Sequence, residues 1–251
     1  LLLNDGSIRF KNVSFKYPGS KENILRDIDL EINSGEIVGI IGSTGSSKST
    51  LVQLIPRLYD VSDGMLNVGG RDVKEYDIKA LRDQVAFVLQ KNTLFSGTLR
   101  ENMKWGNENA TDEEIIQALK HAQAWEFVSQ YDDGLDHIVE QGGDNFSGGQ
   151  KQRLSIARAL MKSPKVIVLD DSTSAVDMTT DAKIQRAFKE DLGDVTTIII
   201  AQRIASIQHA DKIVVLHEGQ VEAVGNHNEL IDISPIYKEI YESQQKGVVG
   251  E

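Results

Sequence analysis

A segment of nine residues rich in Gly and Ser has the spacing of a loop that binds the phosphates of a nucleoside triphosphate. It follows an apolar run that predicts a strand and precedes a run with helical spacing. Its backbone N–H groups can wrap the phosphates, Lys48 can reach the outer phosphates, and Ser49 can ligate Mg²⁺. The predicted nucleotide-binding residues are Gly42, Ser43, Thr44, Gly45, Ser46, Ser47, Lys48, Ser49 and Thr50. The alternative interpretation is a Gly/Ser-rich turn without a ligand.

Ser47 departs from the full phosphate-loop pattern, which has Gly immediately before the lysine. Gly is favoured where the backbone approaches a ligand closely or takes a positive φ. We therefore expect Ser47 to crowd the phosphates or to strain the loop by about 1–3 kcal/mol. Weaker nucleotide binding should follow.

A second glycine motif reads Phe-Ser-Gly-Gly-Gln over residues 146–150, and an apolar run that ends at Asp170 and Asp171 follows it. A serine hydroxyl, exposed N–H groups and a helix dipole suit this motif to a γ-phosphate, although in isolation it also fits a helix cap. The motif resembles the LSGGQ signature of ATP-binding-cassette (ABC) proteins, with Phe in place of Leu. The run after it resembles their Walker B strand. By the order and spacing of these motifs, the chain is identified as a member of that family.

The resemblance implies further site residues and the cofactors ATP and Mg²⁺. Tyr17 matches the aromatic residue that stacks on adenine, Gln90 matches the Q-loop glutamine, and residues 174–177 match the D-loop. The implied Mg²⁺ ligands are Ser49, Gln90 and Asp170, and the signature adds Ser147, Gly148, Gly149 and Gln150 as nucleotide-binding residues.

The implied catalytic residues are Asp171, Gln202 and Gln90, and two of them depart from the family pattern. Family members that hydrolyse ATP have Glu at the position of Asp171, and a side chain shorter by one methylene should reach the attacking water poorly. They have His at the position of Gln202, whose amide can bond a phosphate but cannot carry a proton or a charge. Gln141 and Gly142 also stand where Glu and Arg are common, so coupling to a partner is expected to differ.

Cassette domains close head to tail, so that each composite site combines one chain's phosphate loop with the other's signature. The altered site and the nearly intact signature resemble the degenerate half of a heterodimeric bacterial multidrug exporter. The expected partner is a second nucleotide-binding domain, and a homodimer in isolation is the alternative. Two other interpretations stay open: a regulatory clamp that binds ATP without hydrolysing it, and a competent homodimeric ATPase.

Residues 91–102 resemble the segment that follows the Q-loop in exporters fused to membrane helices. The resemblance implies that Phe95 and its neighbours receive coupling helices from transmembrane domains, at the cytoplasmic face of the cell membrane. A loop that packs the lobes together is the alternative.

The elements that must position these residues form an α/β pattern in a single domain, 1–251. We expect a P-loop NTPase-like core with a mainly parallel central sheet, an N-terminal antiparallel β region and an inserted helical lobe. The expected boundaries are 1–90 and 161–242 for the ATP-binding core, 91–160 for the helical signature lobe and 243–251 for a frayed tail. The pattern also predicts a helix over Thr50–Leu58, a capping box at Thr111 and a hairpin over 213–224.

Composition excludes several kinds of function. The net charge of −11 disfavours a nucleic-acid partner, and the absence of Cys excludes disulfides, zinc–thiolate sites and a cysteine nucleophile. The sequence has no apolar stretch of the roughly 18 residues that a membrane span needs. Because it begins without Met, we expect it to be a piece of a longer polypeptide.

Overall fold

The structure is a computed structural model that describes residues 2–43, 45, 47–91, 93–171 and 174–248. The strands in these ranges are β1 (Ile8–Phe15), β2 (Leu25–Ile32), β3 (Ile37–Gly42), β4 (Asp63–Val68), β5 (Arg71–Asp72), β6 (Val85–Val88), β7 (Gly97–Thr98), β8 (Ile138–Val139), β9 (Val166–Asp170), β10 (Thr196–Ile200), β11 (Lys212–His217) and β12 (Gln220–Gly225). The α-helices are α1 (Lys48–Gln53), α2 (Ile78–Gln84), α3 (Leu99–Lys104), α4 (Asp112–His121), α5 (Trp125–Val128), α6 (Gly148–Leu160), α7 (Met178–Glu190), α8 (His227–Ile233) and α9 (Pro235–Val248).

The central sheet has six strands in the order β12-β11-β3-β10-β9-β6. All neighbouring pairs in it are parallel except β11–β12, which is antiparallel. A separate antiparallel sheet has the order β2-β1-β4-β5. The predicted fold class, a mainly parallel sheet with an N-terminal antiparallel region, is confirmed.

Both faces of the central sheet are buried, and the alternation of side chains along each strand divides them between two cores. On β9, Val166 and Val168 face a core shared with the antiparallel sheet and α1, whereas Ile167 and Leu169 face one shared with α3, α4 and α6. Residues 91–160 hold the helices α3 to α6 and also the short antiparallel pair β7–β8, which the sequence pattern did not indicate.

The late hairpin is confirmed as β11 and β12, joined by Glu218 and Gly219. Both turn residues have positive φ, 47° and 76°, as a type I′ turn requires. The turn lies against the start of β2, because the backbone N–H of Arg26 donates to the Gly219 carbonyl at 2.8 Å. The hairpin therefore ties the central sheet to the antiparallel one.

The helix after the phosphate loop is shorter than the sequence pattern predicts. Leu51, Leu54 and Ile55 are buried as expected, but the α-helix ends at Gln53 and the chain continues in turns. Pro56 explains the early end, because proline disfavours helical backbone in the residue before it. The prediction found the buried face and placed the boundary too late.

The expectation of a frayed tail is wrong for residues 243–248, where α9 continues. Tyr237 of this helix is fully buried, and Gln244 makes two hydrogen bonds to the segment after β10. Residues 249–251 lie outside the described ranges.

The predicted capping box at the start of α4 is confirmed. Thr111 accepts from the N–H of Glu114, and the Glu114 carboxylate accepts from the N–H of Thr111.

In the part of the chain that the structure describes, no helix combines the length and apolarity that a bilayer crossing demands.

Gly219→Ala should destabilise the fold strongly. A Cβ there would lie 2.0 Å from the Ile24 carbonyl oxygen, and φ is +76°. Strain and overpacking together should lower the midpoint of thermal unfolding by roughly 5–15 °C.

Gly19→Ala is the matched control for that substitution, since φ is +84° and an added Cβ meets nothing within 4 Å. It should lower the midpoint by only roughly 2–6 °C, the effect of backbone strain alone. Equal losses at both positions would contradict a close contact between the hairpin turn and β2.

Candidate nucleotide-binding site

The parallel strands bring four loops to one edge of the central sheet. Ile200 on β10 pairs with Ile40 on β3 and with Asp170 on β9, and Val88 on β6 pairs with Leu169. Because the carboxyl ends of parallel strands lie together, the segments that follow these strands converge. The predicted loop, Walker B and Q-loop residues and Gln202 belong to these segments.

The lysine of the phosphate loop bonds backbone carbonyls at the start of the same loop. The Lys48 ammonium donates to the Gly42 carbonyl at 2.9 Å and to the Ser43 carbonyl at 3.2 Å. Burial lowers the pKa of Lys48, while the carboxylates of Asp170 and Asp171 act in the opposite direction. The cation therefore lies among the loop carbonyls and near both acidic residues. Thr44 and Ser46 of the predicted site lie outside the described residues.

Ser47 has the left-handed backbone that its position favours in glycine. Its φ is 69° and its ψ is 27°, and its side chain makes no capping hydrogen bond to α1. A non-glycine residue in this region is strained by about 1–3 kcal/mol. Of the two effects expected of Ser47, the left-handed backbone agrees with strain in the loop. Crowding of the phosphates and weaker nucleotide binding stay predictions.

Ser49 and Asp170 supply adjacent oxygen donors. The Ser49 hydroxyl donates to the Asp170 carboxylate at 3.1 Å, although the two residues stand on α1 and β9. Hydroxyl and carboxylate oxygens are ligands that suit Mg²⁺. This pair fits the predicted metal position, and Gln90 would add its amide oxygen.

Asp171 lies between this pair and the Q-loop. Its carboxylate accepts from the amide nitrogen of Gln90 at 3.0 Å, and its own N–H donates to the Ile200 carbonyl at 2.9 Å. Burial raises the pKa of the Asp171 carboxyl, and the neighbouring Asp170 carboxylate raises it further, while Arg203 and Lys48 offset part of the effect. The side chain is thus held by Gln90 within a group of four charges.

Gln202 follows β10 and is exposed. Its backbone carbonyl accepts from the side chain of Gln244 at 2.7 Å. The side-chain amide of Gln202 therefore lies at the surface of the convergent edge, on a backbone held by α9.

Tyr17 is half-buried in an aromatic cluster beside the phosphate loop. Its ring meets Phe15 and Tyr59 edge to face, at centroid distances of 5.0 and 5.2 Å. Its hydroxyl lies 3.0 Å from that of Thr50, which is itself buried. The side chain of Thr50 therefore bonds Tyr17 and braces the aromatic cluster against α1.

The signature residues form the start of α6. The hydroxyl of Ser147 accepts from the N–H of Gln150 at 3.2 Å. The side-chain oxygen of Gln150 accepts in turn from the N–H of Ser147 at 3.0 Å. The helix-cap interpretation is therefore correct as a description of local structure. Ser147 and Gly148 are nonetheless exposed, and the hydroxyl keeps a hydrogen to donate.

The signature helix contacts the predicted D-loop closely. A Cβ on Gly149 would lie 2.9 Å from the Ala175 carbonyl oxygen, so glycine is required there by the approach of the backbone. The buried side chain of Gln152 accepts from the N–H of Ala175 at 3.2 Å. The start of α6 thus contacts the segment after Walker B, and Gln152 is a contact there that sequence reasoning missed.

A groove with an aromatic rim lies between Phe95, Trp105 and Arg158. The two rings lie 4.8 Å apart, and the side chains are 44% and 67% exposed. The guanidinium of Arg158 lies 5.5 Å above Phe95 and donates through Nη2 to the Thr93 carbonyl. Its buried Nη1 and the buried hydroxyl of Ser155 have no hydrogen-bond partner within the described ranges. These groups line a cavity of about 240 Å³.

The motifs did not indicate four residues that contact or support the site: Tyr59, Arg203, Gln152 and Gln244. Each acts across a long separation in the sequence, so local spacing carries no signal for it. Arg203 alone had a cue, as a cation next to a predicted catalytic position.

Comparison with known proteins agrees with the geometry. The family model described as ABC transporter matches residues 25–174. The putative multidrug export ATP-binding/permease protein YgaD of Bacillus subtilis is 46% identical over 239 residues, which cover 95% of this chain and 41% of that protein. A putative multidrug export ATP-binding/permease protein of Staphylococcus aureus is 43% identical over 242 residues, which cover 96% and 42% of the two chains.

A solved structure extends the similarity to the fold. The structure of a bacterial Atm1-family ABC exporter with ATP bound matches 97% of this chain and 43% of its own chain, with a TM-score of 0.91 and 33% sequence identity. The present chain therefore spans about two-fifths of the length of the relatives that it matches.

Ser47→Gly should relieve the strain at the start of α1. The midpoint of thermal unfolding without nucleotide should rise by roughly 2–4 °C. The affinity for Mg·ATP should rise by about 3- to 10-fold, because glycine lets the backbone approach phosphates more closely. Scanning fluorimetry and calorimetric titration measure the two effects.

Ser163→Gly makes the same change at another left-handed serine, with φ 49°, on the exposed turn after α6. It should raise the unfolding midpoint without changing the affinity for ATP. If Ser47→Gly also leaves that affinity unchanged, Ser47 does not crowd the nucleotide.

Proposed function

This chain belongs to the ABC transporter family, and from that premise we propose that it is the ATP-binding domain of a multidrug-type exporter whose own nucleotide site binds Mg·ATP and hydrolyses it slowly. In this proposal it closes head to tail with a second nucleotide-binding domain of different sequence. The complete transporter would lie in the cell membrane, with this domain at its cytoplasmic face.

The observation that carries the slow-site proposal is the position of Asp171. Its carboxylate follows β9 and accepts from Gln90 at 3.0 Å, which supports assigning it the role of the group that orients the attacking water. Burial and Asp170 raise the pKa of Asp171, which favours accepting a proton, so basicity is not the defect. Reach is the defect, because a displacement of about 1 Å costs roughly 100-fold in rate.

The remaining residues of the site are suited to holding the nucleotide. Lys48 would exchange the loop carbonyls that it now bonds for phosphate oxygens, and Ser49 with Asp170 would hold Mg²⁺. The bound Mg²⁺ would neutralise charge on the phosphates. Gln202 can donate a hydrogen bond to the γ-phosphate but adds no positive charge to the transition state. Binding is therefore retained while cleavage is slow.

The signature supports a contribution to the partner's site. Ser147 and Gly148 are exposed at the start of α6, where a hydroxyl hydrogen, N–H groups and the helix dipole are available to an anion. This chain would clamp its partner's ATP, while the partner would supply the Glu and His that a competent site needs.

The groove of Phe95, Trp105 and Arg158 is the proposed docking surface for transmembrane domains. Exposed aromatic side chains beside a buried, partly unpartnered guanidinium suit a helical segment that brings apolar side chains and a hydrogen-bond acceptor. The relatives have about three-fifths of their length outside the matched region, which leaves room for such domains.

Two alternatives give different measurements. A regulatory clamp would bind ATP and show no turnover at this site in any complex. A competent homodimer would hydrolyse ATP at ordinary rates without a partner, which Asp171 and Gln202 oppose. Hydrolysis at this site is slow if the Asp171 carboxylate still reaches the attacking water, and absent if it does not.

Asp171→Glu with Gln202→His should convert this site into an active one. The chain would be paired with a partner domain whose own Walker B Glu is replaced by Gln, so that only this chain's site can turn over. Phosphate release should rise by at least about 10-fold. The longer carboxylate at residue 171 reaches the attacking water, and a histidine at residue 202 can again carry a positive charge beside the γ-phosphate. Steady-state phosphate assays measure it.

Asp132→Glu, at an exposed position in the α5–β8 connection, is the matched control and should leave the rate unchanged. If the parent chain alone already hydrolyses ATP at the rate of the double variant, the slow-site proposal is wrong.

Trp105→Asp should uncouple the domain from a membrane-embedded exporter that carries it. A carboxylate on the rim would disfavour an apolar docking segment, so substrate-stimulated ATPase activity should fall several-fold while ATP affinity stays the same. Ile233→Asp changes another exposed apolar side chain, on α8, and should leave the stimulation intact. Equal losses in both variants would contradict docking at the groove.

A further inference from the structure

The last helix holds the segment that carries Gln202. The Gln244 side chain on α9 accepts from the N–H of Ile204 at 2.9 Å and donates to the Gln202 carbonyl at 2.7 Å. One amide group therefore bonds the backbone on both sides of residue 203.

That segment needs such a partner, because it leaves the sheet at Ala201. The N–H of Ala201 still donates to the Ile40 carbonyl of β3, at 3.1 Å. Beyond it the chain turns into a single 3₁₀ turn over Ile204–Ser206, and Ile204 is buried. An N–H at a buried position is costly without a partner, and Gln244 supplies it.

The helix that carries Gln244 is itself anchored. Tyr237 of α9 is fully buried, and its hydroxyl lies 2.7 Å from Nδ1 of His227 on α8. Ile240 packs against the core one turn before Gln244. The position of Gln244 along α9 is thus set by packing, not by the polar bonds that it makes.

The same helix faces the phosphate loop. A cavity of about 370 Å³ lies between α9 and two residues at the edge of the sheet, and its lining includes Ser43, His217, Ile240 and Gln244. Gln244 therefore lies beside the site at two places, next to the loop after β3 and bonded to the segment after β10.

We propose that Gln244 is a positioning residue for the γ-phosphate contact, holding the backbone of Gln202 so that its amide reaches the terminal phosphate of ATP. This inference rests on the proposed function and adds to it a part for the C-terminal helix. Only ATP has a γ-phosphate, so Gln244 contributes to ATP binding and not to ADP binding. An amide is required, since one atom must accept and the other must donate.

The test uses Gln244→Met, which keeps the length and bulk of the side chain and removes both hydrogen bonds. Calorimetric titration of the 251-residue chain with Mg·ATP and Mg·ADP gives the affinity for each. The variant loses two neutral hydrogen bonds, and part of their free energy is expected to reach the phosphate contact. The affinity for ATP should therefore fall by about 3- to 10-fold, while the affinity for ADP stays unchanged. Gln244→Glu can accept from Ile204 but cannot donate to Gln202, and its carboxylate repels the Gln202 carbonyl, so it should also lose affinity for ATP.

Gln245→Met is the matched control, on an exposed neighbouring glutamine of α9. It should bind both nucleotides as the parent does. In a Gln202→Ala background, Gln244→Met should cause little further loss, because both changes remove one contact. Unfolding midpoints without nucleotide show that each variant is folded.

Three results overturn the inference while leaving the proposed function standing: equal losses for ATP and ADP, no loss for ATP in either Gln244 variant, or the same loss in Gln245→Met. A parent chain that binds no ATP overturns the proposed function and this inference together.

Discussion

Parallel pairing of β3 with β10, and of β10 with β9, determines where the phosphate loop, the two acidic residues and the segment of Gln202 lie. The backbone hydrogen bonds of these strands set a register in which Ile40, Ile200 and Asp170 stand side by side. The loop with Lys48, the two acidic residues and the segment of Gln202 begin within a few residues of that line. A shift of one strand by one residue would move each of its side chains to the opposite core. In β9 it would also separate Asp170 from the hydroxyl of Ser49.

Within this frame, the charges of the site balance one another. Lys48 lies near Asp170 and Asp171, and Arg203 offsets part of the repulsion between the two carboxylates. Gln90 bonds Asp171 without adding charge. A carboxyl with a raised pKa contributes stability below its ordinary pKa and loses it as the pH rises through the folded value. At neutral pH the ionised Asp171 carboxylate therefore lowers the stability of the folded domain.

Sequence reasoning reached most of the elements and the residues that share local motifs. Continuous apolar runs identified β3 and β9, and the capping box located α4, because these signals are local and period-specific. The glycine pattern indicated that Ser47 would either crowd the phosphates or strain the loop, and its positive φ agrees with strain. The end of α1 was missed because the apolar spacing outweighed Pro56, whose constraint acts on the residue before it.

The rest of the site depends on contacts between distant segments, which spacing cannot indicate. Gln244 bonds residues about forty positions earlier, and Gln152 bonds Ala175 on another element. Polar, half-exposed residues in a C-terminal stretch carry no periodic signal that separates an anchored helix from a loose one. The prediction of a frayed tail was wrong for that reason, and α9 contacts the segment after β10 through Gln244.

The approach of Gly149 to Ala175 has a consequence for how two composite sites communicate. With no side chain between them, the signature helix packs directly on the backbone of the segment after Asp171, so that a shift of one of them strains its contacts with the other. In the proposed head-to-tail dimer, the signature helix would contact the partner's nucleotide and the segment after Asp171 would contact this chain's own. If occupancy of one site of that dimer changes the affinity of the other, the reverse effect has the same factor, since such linkage is reciprocal. A site that hydrolyses slowly would in this way act as a standing bias on its faster neighbour.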